Sequence, residues 1–149
     1  MYTEFHFNCK LREDISNEVI KLLEYMITDH EIPSTLPDHP LFSTERWLYM
    51  LRTSSYYFDA DTHSTIRLDK IDNKYHLCIR CNLKNYDEEI EKFIDWIRPY
   101  LYCYDEQFLG FYRCEEDSWP TLIMTSYGSS RYDETYVRVN TVEVKRARS

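Results

Sequence analysis

The sequence predicts an α+β domain, with an antiparallel or mixed sheet of about five or six strands, two main helices on one face of it and one short extra helix. Three observations carry that expectation. In YHLCIRCNLKN the residues alternate in steps of two, with Tyr75, Leu77, Ile79, Cys81 and Leu83 on one side and His76, Cys78, Arg80, Asn82 and Lys84 on the other, as in a half-buried strand. YDEEIEKFIDWIRPYL follows directly, and there Ile90, Phe93, Ile94 and Ile97 share one helical stripe. Residues 2–28 show the same change of period, from a strand to a helix. Each strand therefore feeds a helix that packs back on it. The resulting β-α-β-β-α-β core is a split βαβ, ferredoxin-like plan.

Taken in order, residues 2–12 set Phe5, Phe7, Cys9 and Leu11 against Glu4, His6, Asn8, Lys10 and Arg12. Ile15, Val19, Leu22, Leu23, Met26 and Ile27 then share a stripe, which predicts a helix over 14–28 with Asp14 as its cap. Pro33, Pro37 and Pro40 mark a connector, because proline lacks a donor and fixes φ. Ser43 is placed to cap the short extra helix over 44–51, with Phe42 packing over its start. Tyr56–Phe58 reads as a brief strand and Ser64–Ile71 as another, the latter joined to the Tyr75 strand by a turn at Asp72-Asn73-Lys74. Asn85 and Glu88 stand at capping-box spacing before a helix over 86–98 that Pro99 ends. Phe108–Cys114, Thr121–Thr125 and Tyr136–Val144 are the remaining strands. A basic tail, 145–149, closes a single domain of 149 residues, a length that suits one hydrophobic core.

Charge narrows the functions. Twenty-six acidic residues against 18 basic ones give a net charge of -8, and three of the basic residues, Lys145, Arg146 and Arg148, lie in the tail. Such a field repels a phosphate backbone, so nucleic acid is disfavoured as a partner and a basic protein is favoured. Residues 1–6 lack the basic start and apolar run of a secretory leader, and no stretch of about 18 apolar residues follows, which predicts a cytoplasmic protein with no membrane partner. An odd number of cysteines, five, without scaffold spacing suits reduced thiols in that compartment.

Candidate sites are weighed against plainer readings of the same residues. Cys78-Ile79-Arg80-Cys81 has C-x-x-C spacing, yet on a strand positions i and i+3 face opposite ways, leaving one core and one surface sulfur. His6, His76 and Cys78 would share the sheet face that no core helix covers, and Asp59, Asp61 and His63 sit in a turn; either set would serve a metal-dependent or cysteine-based enzyme, the alternative reading. Two glycines are too few for a phosphate loop, and no G-x-S-x-G elbow selects a nucleophile, so the sequence predicts no cofactor and leans away from catalysis. Phe108 and Tyr112 would be the base-stacking rings if the open face bound RNA.

The acidic clusters are Asp87-Glu88-Glu89 with Glu91, and Glu115-Glu116-Asp117. Their plain role is a helix start matched to its dipole and a solvated turn. Their sharper role is recognition, because Trp119, Tyr127, Tyr132 and Tyr136 lie near the second cluster and acids mixed with loop aromatics suit a protein-binding face. The expected partner-binding residues are Glu115, Glu116, Asp117, Trp119, Tyr127 and Tyr132. In charge and size the chain resembles immunity proteins that neutralise nuclease toxins and phage inhibitors of host defence, which implies non-catalytic protein–protein interaction. A homodimer through the last strands is the other partner reading.

Overall fold

A computed structural model describes residues 1–58, 61–104, 106–126 and 136–141, with residues 126 and 136–141 described by backbone alone. The first strand, β1 (Thr3–Leu11), realises the alternation: Thr3, Phe5, Phe7, Cys9 and Leu11 are all buried while the even-numbered residues face the other way. Next come α1 (Asn17–Thr28), β2 (Thr65–Asp69), β3 (Lys74–Leu83), α2 (Glu89–Ile97), β4 (Leu101–Tyr102), β5 (Phe108–Cys114), β6 (Thr121–Ser126) and β7 (Tyr136–Thr141). Six strands form an antiparallel sheet in the order β2-β3-β1-β5-β6-β7, with the two-residue β4 also paired to β1. This is an α+β fold, and none of the described helices is long and apolar enough to cross a membrane.

One core joins the sheet to both helices. Val19, Ile20, Leu22, Leu23 and Met26 of α1 and Ile90, Phe93, Ile94, Trp96 and Ile97 of α2 are buried in the same cluster as Phe5, Phe7, Cys9 and Leu11 of β1 and Leu77, Ile79, Cys81 and Leu83 of β3. Phe93 is its centre, with ring centroids 6.0 Å from Phe5, 6.2 Å from Phe7 and 5.9 Å from Trp96. Burying each such side chain stabilises the fold by about 1.5–3 kcal/mol.

The helix starts differ from expectation in their caps. Ser16, not Asp14, caps α1, its hydroxyl accepting from the Val19 N–H at 3.4 Å, while Asp14 pairs with Arg12 at 3.2 Å. A serine one residue before the first turn reaches the free N–H groups, whereas Asp14 lies too far upstream. Asp29 ends α1 in the left-handed conformation, and its N–H donates to the Tyr25 carbonyl at 2.8 Å. Asn85 does serve α2, accepting from the Ile90 N–H at 2.8 Å, but Glu88 takes φ 57° and the helix begins only at Glu89. Pro99 falls in a 3-10 turn, Arg98–Tyr100, that follows the helix.

Two expected elements are absent. No α-helix forms over 44–51; a 3-10 turn occupies Pro40–Ser43 instead, with His39 Nδ1 accepting from the Leu41 N–H at 3.1 Å. Beyond it the chain makes i to i+3 bonds, Tyr49 N–H to Arg46 O at 3.2 Å and Arg52 N–H to Tyr49 O at 2.9 Å. Trp47, Met50 and Leu51 are still buried, so the apolar spacing reflects anchoring rather than a regular helix. The Arg52 guanidinium fixes this segment by donating to the Leu48 carbonyl and to the Met26 carbonyl near the end of α1, at 2.8 and 3.0 Å. Tyr56–Phe58 is likewise a turn and not a strand, held by the Tyr57 N–H donating to Ser55 Oγ at 3.1 Å.

Residues 70–73 join β2 to β3 as a hairpin turn in which Asn73 takes φ 59°. Between Phe108 and Gly110 the β5–β6 register shifts. At Gly110 φ is +155°, and a Cβ there would lie 1.9 Å from the His6 carbonyl oxygen, so only glycine fits.

Candidate protein-interaction surface

The β5–β6 turn carries the expected acidic residues, and the fold uses them unequally. Glu115 is tied to the start of β1: its N–H donates to the Tyr2 carbonyl and its Oε1 accepts from the Tyr2 N–H, both at 2.9 Å. With its side chain only 14% exposed, Glu115 is a fastening rather than a free charge. Glu116 and Asp117 are exposed, and the Asp117 N–H closes the turn on the Cys114 carbonyl at 2.9 Å. Trp119 is half-buried beside them. Tyr127 and Tyr132 lie outside the described residues, as does Asp59, and of Tyr136 only the backbone is described.

Other segments supply aromatic rings to this end of the molecule. Tyr2 packs 6.4 Å from Tyr57, and Tyr57 stacks on Tyr56 at 4.8 Å and 20°. Tyr56 is 90% exposed and Tyr57 56%. A hydrogen bond to Tyr56, and after it the nearby charge of Glu115, hold the Tyr57 hydroxyl above its ordinary range. Arg113 places its guanidinium 5.3 Å from the Phe58 ring and ion-pairs with Glu4 at 2.9 Å, so this cation is already matched.

The N-terminus links the Asp87-Glu88-Glu89 cluster to the same end. The Met1 ammonium donates to the exposed Tyr86 hydroxyl and lies 3.8 Å from Glu115 Oε1. Tyr86 precedes Asp87 and Glu88, both exposed, and its ring receives Arg46 at 5.2 Å. Glu89, by contrast, is fully buried against Arg46, with Oε2 3.4 Å from Nη1 and Oε1 accepting from the Asp87 N–H at 3.0 Å. Glu91 accepts from Asn85 at 2.9 Å and from the Tyr112 hydroxyl at 3.3 Å. Sequence reasoning missed Tyr2, Tyr56, Tyr57 and Tyr86. The signal was present in the unbroken ring run Tyr56-Tyr57-Phe58, which has no polar alternation to make it a strand.

The open sheet face is laid out by register. His6 stands opposite Arg80, Asn8 opposite Cys78, and Lys10 opposite His76. His76 Nε2 bonds Asn8 Oδ1 at 2.7 Å, while His6 Nε2 bonds Glu4 Oε1 at 3.2 Å and stacks on Phe111 at 4.5 Å. His6 and His76 are thus four residues apart along the strands, about 13 Å, and among the described residues no three His, Cys, Asp or Glu side chains gather to hold a metal. Cys81 is buried and Cys78 half-exposed, on opposite sides of β3. Tyr112 pairs with Phe5 and turns to the helix side, where burial and then Glu91 push its hydroxyl up. Phe111, and not Tyr112, is therefore on the open face, where Phe108 also lies exposed.

A comparison of the chain with protein-family models, with curated proteins and with solved structures gave no match.

Proposed function

We propose that this chain is a non-catalytic binding protein that engages a basic protein partner through its acidic, tyrosine-rich end, as an immunity protein or phage inhibitor would, in a cytoplasmic setting. The observation that carries the reading is the convergence of exposed Tyr56, Tyr57 and Tyr86 with exposed Glu116, Asp117, Asp87 and Glu88 around the N-terminus. Tyrosine offers a large contact area at low entropy cost, and acids at the rim steer a cationic partner in. We also read the core as a split βαβ plan, because the strand order β5-β1-β3-β2, with α1 and α2 as the crossovers, is the one that plan requires.

The test begins by isolating the partner with the tagged chain from its native cell. Binding is then measured at several salt concentrations. Changing Glu116 and Asp117 to serine should slow association and flatten the salt dependence, and Tyr56→Ala with Tyr57→Ala should weaken the complex by about tenfold or more, a loss typical of anchoring rings. Binding that survives both pairs of changes with unaltered salt dependence overturns the proposal. Self-association through β7, the last strand of the described sheet, is the competing reading, and the mass of the isolated protein in solution separates the two.

A further inference from the structure

On the β5 side, β1 changes partner along its length. Residues Thr3–Phe7 pair with β5, whereas Lys10 and Leu11 stand opposite Tyr102 and Leu101 of β4. Carried one residue further, the β4 register sets Cys103 opposite Cys9. Even-numbered residues flanking β1 spend their backbone groups on this side, Tyr2 by accepting from the Glu115 N–H and Arg12 by donating to the Tyr100 carbonyl. Cys9 and Cys103 therefore occupy a non-hydrogen-bonded position, where facing Cα atoms of antiparallel strands lie about 4.5 Å apart, inside the range of roughly 4.4–6.8 Å that a disulfide bridges.

The side chains agree with the backbone. Cys103 is a hydrogen-bond partner of the Cys9 thiol, and Cys9 Sγ also donates to the Tyr102 carbonyl at 3.7 Å. The contact with Cys103, reinforced by burial, raises the Cys9 thiol far above its ordinary range, so Cys103, half-exposed, is the sulfur an oxidant meets first. Cys9 also lines a notch of about 420 Å³ between β4 and β5, walled by Tyr102, Tyr104 and Phe108.

We propose that Cys9 and Cys103 are a redox-sensitive pair that closes into an intramolecular disulfide when the protein meets a peroxide. The Cys103 sulfur attacks the peroxide O–O bond, becoming a sulfenic acid as one water leaves. The Cys9 sulfur then displaces the sulfenyl oxygen, which departs with the thiol proton as a second water. Both sulfurs are oxidised by one electron each and the peroxide is reduced to two waters. The bond fastens β4 to β1 at the point where β1 changes partner.

The experiment treats the full chain with hydrogen peroxide, titrates thiols and maps the peptides without reduction. The expected result is a drop from five free thiols to three, a Cys9 peptide linked to the Cys103 peptide, and recovery of both thiols with dithiothreitol. The oxidised protein should also unfold at higher urea. Cys103→Ser, at a half-exposed site that does not threaten folding, should keep all its remaining thiols free under the same treatment. Five titratable thiols after treatment, over-oxidation of Cys103 without a link, or linkage to Cys78, Cys114 or a second chain overturns the proposal.

Discussion

Replacing Arg46 with leucine isolates Glu89, among the described residues the one fully buried acid in an ion pair. Glu89 has no exposed surface, and its Oε2 lies 3.4 Å from Arg46 Nη1. At that separation an effective dielectric constant near 20 gives an attraction of about 5 kcal/mol, against a desolvation cost of several kcal/mol per ion. Arg46→Leu removes the attraction and leaves the cost, so the expected loss is about 3–5 kcal/mol, a large part of the 5–15 kcal/mol that holds a typical domain. Glu89→Leu should cost less, because Arg46 is 22% exposed and retains Asp87 at 3.5 Å. With both residues changed to leucine, much of the loss should return. Urea unfolding followed through the fluorescence of buried Trp47 and Trp96 measures all four proteins. An Arg46→Leu variant within about 1 kcal/mol of the parent, the worth of a surface pair, or a Glu89→Leu variant that is the worse of the two, would refute the reasoning.

Phe93→Ala empties the meeting point of β1 and α2, where three other rings close around it, and should cost about 3–5 kcal/mol, read as a fall in the urea midpoint with an unchanged slope. Asp72→Asn tests the Lys10–Asp72 pair at the β2–β3 hairpin. Lys10 depresses the Asp72 carboxyl, so that contribution exists above the unfolded carboxyl pKa and is lost as pH falls through the lower folded value; Asp72 raises Lys10, whose contribution exists below its unfolded pKa and is lost as pH rises through the higher folded one. Thermal midpoints of the parent and the variant should therefore differ at neutral pH and converge in both acid and alkali, with high salt narrowing the gap. A gap that persists unchanged in acid contradicts the pairing.

The strands and main helices were legible because burial writes a period into the chain. β1 hides a complete set of alternate residues, β3 hides Leu77, Ile79, Cys81 and Leu83, and α1 and α2 hide one stripe each, which made the period readable. Between 44 and 58 the pattern failed for a physical reason. Trp47, Met50 and Leu51 are spaced like a helix but hold the segment as separate anchors, and Arg52 satisfies carbonyls from outside. The β5 face was misjudged because the irregularity before Gly110 shifts the alternation, sending Phe111 rather than Tyr112 to the open side. At the candidate surface, the exposed acids of the β5–β6 turn were visible as a cluster, but their neighbours come from residues 2, 56, 57 and 86, and only tertiary folding brings those segments together. Nor does the sequence show that Glu115 is spent on Tyr2 while Glu116 and Asp117 stay free.

Gly110 decides how closely β5 approaches its neighbour. β2, β3 and β1 carry most of the strand residues in the core, and in the order of strand pairing β6 and β7 follow β5, which pairs with β1. A methyl group at 110 would strike the His6 carbonyl, so making room for it strains the pairing of β5 with β1. One hydrogen on one α-carbon thus lets β5 lie close against β1, and that closeness helps to set the acidic turn beside the tyrosines.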